Sequence, residues 1–145
     1  MSAKKILIIE DEPNIRELVL YNLKTNGYDC IAAEDGIMGI TMVHREKPDL
    51  ILLDVEMPVL DGFHTLESIR KMETAIDVPV IFVTGRHDRF TVFHSVQLGV
   101  DGYIVKPFEK NALLKKIDEV MNGNEGEASK ETILAVDDDM AFLKQ

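Results

Sequence analysis

One cysteine, Cys30, stands in a chain of 145 residues. An intrachain disulfide is therefore excluded, and the count fits a reducing compartment where Cys30 packs as a small apolar residue. Positive charge is scarce: 16 basic residues face 26 acidic ones, for a net charge of −10. Such a surface repels phosphate backbones, so this chain is not expected to bind nucleic acid directly. Long apolar runs are missing as well. Lys4 and Lys5 precede only Ile6–Ile9 before Glu10, too short for a signal peptide or a membrane span. The expectation is a cytoplasmic protein with no membrane contact. His44, His64, His87 and His94 lack ligand spacing with cysteines or acids, so no histidine metal set is present.

The chain does have short apolar runs, and they alternate with helical stripes. With 46% apolar and 29% charged residues it can bury a single core. Ile6–Ile9, Leu50–Leu53, Val80–Val83 and Tyr103–Val105 read as strands, the first three continuous enough to be buried on both faces. Cys30–Ala33 reads as a weaker, edge strand. Between them run helices striped by Ile15, Leu18, Val19 and Leu23; by Ile37, Ile40, Thr41 and His44; and by Phe63, Leu66, Ile69 and Met72. A short helix with Val92, Phe93 and Val96 follows, then a clear one with Leu113, Leu114, Ile117, Val120 and Met121. Pro13 opens the first helix, Asn26-Gly27 ends it, and Lys47-Pro48 ends the second. Met38, Met42 and Met72 read as gap-fillers. Strand and helix alternate five times, which predicts an α/β sandwich with a parallel sheet covered on both faces.

Each of the four strongest runs ends on a reactive polar group: Glu10-Asp11, Asp54, Thr84-Gly85 and Lys106. Open α/β sheets place their ligands at this carboxyl edge. Taken singly, the residues have ordinary readings: a helix cap for Asp11, a turn for Asp54 and Thr84, a solvated charge for Lys106. Taken together they make a site. Two carboxylates about 4 Å apart repel by roughly 4 kcal/mol at an effective dielectric of about 20. Lys106 and a hard divalent cation such as Mg²⁺ would balance three carboxylates. A metal-bound carboxylate beside a lysine can receive a phosphoryl group in line. Asp54 would be the nucleophile, Lys106 would hold one phosphoryl oxygen, and the Thr84 hydroxyl another.

With these residues in place, the chain resembles the receiver domain of two-component response regulators over residues 4–121. Glu10 and Asp11 match the acidic pair, with Glu10 standing where aspartate is commoner. Asp54 matches the phosphoacceptor, and Met57-Pro58 with Gly62 the loop after it. Thr84 matches the switch hydroxyl, Tyr103 the switch aromatic, and Lys106-Pro107-Phe108 the lysine motif. The resemblance implies a flavodoxin-like (βα)5 fold, strand order 2-1-3-4-5, and a cis Lys106–Pro107 bond. It implies Mg²⁺ held by Glu10, Asp11, Asp54 and the Glu56 carbonyl, with phosphoryl contacts from the backbone of Glu56 and Gly85. The donor would be a sensor histidine kinase or a histidine phosphotransfer protein. Phosphorylation would draw Thr84 inward and let Tyr103 follow. That would bias a face built from the fourth helix, fifth strand and fifth helix, a surface a homodimer could use. The chain would be a signalling domain rather than an enzyme, limited to Mg²⁺-dependent self-phosphorylation and slow self-dephosphorylation.

Glu56 and Arg86 each lie two residues beyond a site residue, and an ion pair between them would tune the phosphoryl lifetime. Residues 1–121 are expected to form the domain and residues 122–130 a polar linker. Thr132–Val136 followed by Asp137-Asp138-Asp139 copies the opening Lys5–Ile9, Glu10-Asp11-Glu12 pattern. Residues 131–145 therefore read as the truncated start of a second receiver-like domain, in a longer chain with further domains downstream. They are expected to pair with a sheet edge or to extend the last helix. Two other readings stand beside this one: a receiver-like interaction module that accepts no phosphate, and an Asp-nucleophile phosphatase. The latter would want its acceptor on the first strand.

Overall fold

The computed structural model describes residues 3–75, 77–85 and 89–123. Five parallel strands, β1 (Lys5–Ile9), β2 (Asp29–Ala33), β3 (Leu50–Asp54), β4 (Val80–Thr84) and β5 (Gly102–Val105), make one sheet in the order β2-β1-β3-β4-β5. The helices are α1 (Pro13–Lys24), α2 (Gly36–Glu46), α3 (Gly62–Arg70), α4 (Arg89–Gln97) and α5 (Lys110–Met121). A 3-10 turn, Glu73–Ala75, follows α3. This is the flavodoxin-like α/β sandwich the sequence predicts, with β2 at an edge.

The continuous apolar runs make sense in a sheet buried on both faces. Side chains alternate along a strand, so each run feeds two cores. Ile6, Ile8, Leu50, Leu52, Ile81 and Val83 pack with Val19 and Leu23 of α1 and with Leu113 and Ile117 of α5. Leu7, Ile9, Ile51, Leu53, Val80 and Phe82 pack with Val43 of α2 and with Leu66 and Ile69 of α3. Each fully buried aliphatic side chain contributes about 1.5–3 kcal/mol, so these two layers dominate the favourable side of folding. Cys30 lies in the first layer, and burial pushes its thiol up to about 12.

Several helix faces differ from the sequence reading. Leu18 is 52% exposed and Ile37 58%, so α1 and α2 seat narrower stripes on the sheet than their apolar residues suggest. Met38 is also exposed, while Met42 and Met72 pack on the core as expected. In α4 the apolar Phe93 faces outward, 55% exposed; Val92, Thr91 and Ser95 are buried. The Ser95 hydroxyl donates to the Thr91 carbonyl, which lets a polar residue face the interior. Helix α1 ends at Lys24, with Gly27 just beyond at φ +91. Lys47 takes the left-handed conformation that closes α2 before Pro48.

Register sets up the sheet edge. Ile9 pairs with Leu53, Asp54 with Val83, and Val83 with Ile104. Glu10 therefore falls level with Asp54. Continuing the alternation, Glu10, Asp54 and Lys106 point to the side of the sheet covered by α1 and α5. Thr84 follows Phe82, which pairs with Tyr103, so Thr84 and Tyr103 share the opposite side.

Candidate functional site

Glu10, Asp54 and Thr84 are among the most buried polar side chains of the described residues, with exposures of 0%, 1% and 1%. A charge this far from water needs partners. Lys106 provides them: its Nζ lies 3.1 Å from Oε1 of Glu10 and 3.4 Å from Oδ1 of Asp54. It also donates a 3.3 Å hydrogen bond to Oε2 of Glu10. The Lys106–Pro107 bond is cis, and the Lys106 amide donates to the Thr84 carbonyl at 2.7 Å, which anchors the lysine to the end of β4.

Asp54 Oδ1 also accepts the Glu56 amide at 3.1 Å. Asp54 Oδ2 and Glu10 Oε1 take no hydrogen bond among the described residues, although both are buried. Glu10, Asp11 and Asp54 each offer a carboxylate oxygen, and the three oxygens lie within 4.8 Å of one another. Glu10 Oε1 has only its ion pair with Lys106 and Asp54 Oδ2 has no donor, and carboxylates gathered this closely suit a hard divalent cation that prefers oxygen ligands.

The electrostatics follow from this crowding. Burial first, then the hydrogen bond and charge of Glu10, push the Asp54 carboxyl up to about 8, against the opposing pull of Lys106 and the Glu56 amide. Burial pulls the Lys106 ammonium down, and the Asp54 and Glu10 carboxylates more than offset it, so its pKa is raised.

Glu10, Asp11, Asp54 and Lys106 come together. Asp11 is no helix cap: Glu12 holds that position and makes no side-chain cap bond. Thr84 stands at the end of β4, buried. Tyr103 is half-buried against the core with its hydroxyl already shielded from solvent. Gly85 follows Thr84, and its amide donates to Oε1 of Glu56 at 3.2 Å. Arg86, the expected partner of Glu56, lies outside the described residues, as do His87, most of the linker and residues 131–145.

One residue of the site escaped the sequence reading, and Gly62, which it named, has a packing role that the sequence does not show. Arg16 donates to the Glu10 carbonyl at 2.8 Å and to the Asp11 carbonyl at 3.4 Å, bracing the acidic loop from the first turn of α1. Nothing in the local pattern separates it from a solvated helix charge. Gly62 packs so closely that a Cβ there would sit 2.6 Å from the Asp54 carbonyl oxygen. Its amide donates to the Val55 carbonyl at 2.9 Å, folding the loop back under the acceptor.

A sequence model described as "Response regulator receiver domain" matches residues 6–118. The chain is 40% identical over 117 residues to the alkaline phosphatase synthesis transcriptional regulatory protein PhoP of Bacillus subtilis, covering 79% of this chain and 48% of that protein. It is 40% identical over 121 residues to the probable transcriptional regulator ycf27 of Porphyridium aerugineum, covering 83% and 49%. The chain thus spans about half the length of these curated relatives. Among solved structures, chemotaxis protein CheY4 of Vibrio cholerae superposes with a TM-score of 0.80 at 28% identity, covering 82% of this chain and 99% of that one. The receiver domain of sensor histidine kinase PA1611 of Pseudomonas aeruginosa, solved with a magnesium ion coordinated in its active site cleft, gives 0.77 at 29% identity, covering 83% and 99%.

Proposed function

The chain belongs to the response regulator receiver domain family, and on that premise we propose that Asp54 is its phosphoacceptor and Lys106, Thr84 and the acidic pair its working set. It is a signalling domain of two-component phosphorelays rather than a catalytic one. One observation carries the assignment. Asp54 Oδ1 is held by Lys106 and the Glu56 amide, while the other oxygen, Oδ2, has no hydrogen-bond donor.

An Asp54 carboxylate oxygen attacks the phosphorus of a phosphohistidine on a sensor kinase or phosphotransfer protein. The P–O bond forms as the P–N bond breaks, and the imidazole leaves with the electron pair and takes up a proton. Lys106 balances the charge that moves onto Asp54. The amides of Glu56 and Gly85 and the Thr84 hydroxyl receive the phosphoryl oxygens. Mg²⁺ would be held by Glu10, Asp11, Asp54 and the Glu56 carbonyl, and would supply charge neutralisation between acceptor and phosphoryl group.

The added charge of roughly −1.5 to −2 biases a two-state surface. Thr84 and Tyr103 share one side of the sheet and Tyr103 lies on the edge strand β5, which supports a readout at that edge, through α4, β5 and α5, by a homodimer or by further domains of a longer chain. Residues 122–130 then serve as linker, and residues 131–145 as the start of a second receiver-like unit, on the strength of the repeated strand-and-acid pattern. Two relatives named as transcriptional regulators are about twice as long as the segment matched here, so any nucleic-acid contact is assigned outside this acidic segment. No described helix is long and apolar enough to cross a membrane, and the single cysteine supports a cytoplasmic setting.

Borohydride reduction of the phosphorylated chain tests the acceptor. An acyl phosphate at Asp54 is converted to homoserine at that position alone; reduction at another carboxylate, or at none, refutes the assignment.

A further inference from the structure

The Glu56 side chain does something the phosphoacceptor reading does not require. Its backbone amide donates to Asp54 Oδ1, which places residue 56 at the site. Its carboxylate then reaches across to the neighbouring loop and accepts the Gly85 amide at 3.2 Å. Gly85 is the first residue after β4, whose Val83 pairs with Asp54 itself. A negative side chain thus occupies a backbone donor beside the acceptor. A Cβ on Gly85 would lie 3.3 Å from that same carboxylate oxygen, so a side chain there would push Glu56 back by a few tenths of an ångström.

Resting on the function proposed above, we propose that the Glu56 carboxylate is a displaceable internal anion: it holds the Gly85 N–H that a phosphoryl oxygen on Asp54 must take over, and so restrains acceptance. One N–H cannot serve two anions, and a phosphoryl group brings roughly −1.5 to −2 of charge to the same place. Glu56 must therefore swing into solvent as the phosphoryl group arrives. The contact is exposed, so its hold is modest, about two- to tenfold in acceptance rate. It acts before transfer, on acceptance, and needs no contribution from Arg86.

The test uses the 145-residue chain with Mg²⁺ and phosphoramidate, which carries the same P–N bond as phosphohistidine. Initial labelling rates are compared for wild type, Glu56→Gln, Glu56→Ala and Gly85→Ala. Glu56→Ala should label about two- to tenfold faster, and Glu56→Gln, which keeps an acceptor without charge, should fall between. Gly85→Ala presses on the carboxylate, lengthens its bond to the amide, and should also label faster. The Gly85 amide resonance of the unlabelled chain should move on Glu56→Ala, and in wild type it should move on labelling. Wild-type labelling with unchanged rates in all three variants overturns the restraint and leaves the acceptor assignment standing. A Gly85 resonance indifferent to Glu56→Ala overturns it as well. Failure of wild type to label at all overturns the acceptor assignment and the restraint with it.

Discussion

Lys106 brings its ammonium within 3.4 Å of Asp54 Oδ1, from the far side of β4 in the sheet. That contact joins the end of β5 to the central strand, and it neutralises a carboxylate that is 1% exposed.

Removing the ammonium should expose how much it offsets. In Lys106→Met, Asp54 and Glu10 face each other without a cation. In chelator above pH 8, the variant should lose roughly 3 kcal/mol of folding stability, as buried ion pairs do when one partner is deleted. Saturating Mg²⁺ should return part of this, since a ligand at a hundredfold excess over its Kd stabilises by about 2.7 kcal/mol. Urea unfolding with and without Mg²⁺ reads both effects. A variant as stable as wild type in chelator contradicts the ion-pair account.

The raised Asp54 pKa gives a pH dependence with a definite sign. The folded chain holds this proton more tightly than the unfolded chain, whose ordinary value is 3.8. The contribution is therefore complete below 3.8 and is lost as pH rises through about 8. Metal-free stability should decline across that window. Asp54→Asn should flatten the decline and be more stable than wild type near pH 8 by roughly 1–3 kcal/mol. Thermal melts in chelator at stepped pH check this; a variant that declines as steeply as wild type argues against it.

Gly62→Ala tests the packing beneath the acceptor. The new Cβ would stand 2.6 Å from the Asp54 carbonyl oxygen and 2.7 Å from Val55 Cα, both backbone atoms that cannot rotate aside. A loss of roughly 1–3 kcal/mol is expected, with slower labelling because the strand end must shift. Unchanged unfolding and labelling would show that the loop yields without cost.

Much of this arrangement is written in the sequence. Four apolar runs ending on Glu10, Asp54, Thr84 and Lys106 predict both the parallel sheet and the residues at its edge, because period-two burial and strand register leave few alternatives. Where the sequence misleads, the cause is local. Leu18 and Ile37 belong to helical stripes by spacing, yet a helix on a flat sheet seats only a narrow strip, and neighbours of that strip stay in water. Ser95 faces inward in α4 beside Thr91 because its hydroxyl is absorbed by the Thr91 carbonyl one turn back. The Glu56–Gly85 contact joins two loops through one side-chain rotamer, and no pattern of residue types encodes a rotamer.

Intact-mass measurement of the chain with phosphoramidate, with and without Mg²⁺, in wild type and Asp54→Asn, probes the acceptor most directly. The account predicts one added phosphoryl group in wild type with Mg²⁺, little without it, and none in Asp54→Asn. Labelling that persists in Asp54→Asn, or that proceeds equally well in chelator, would contradict it.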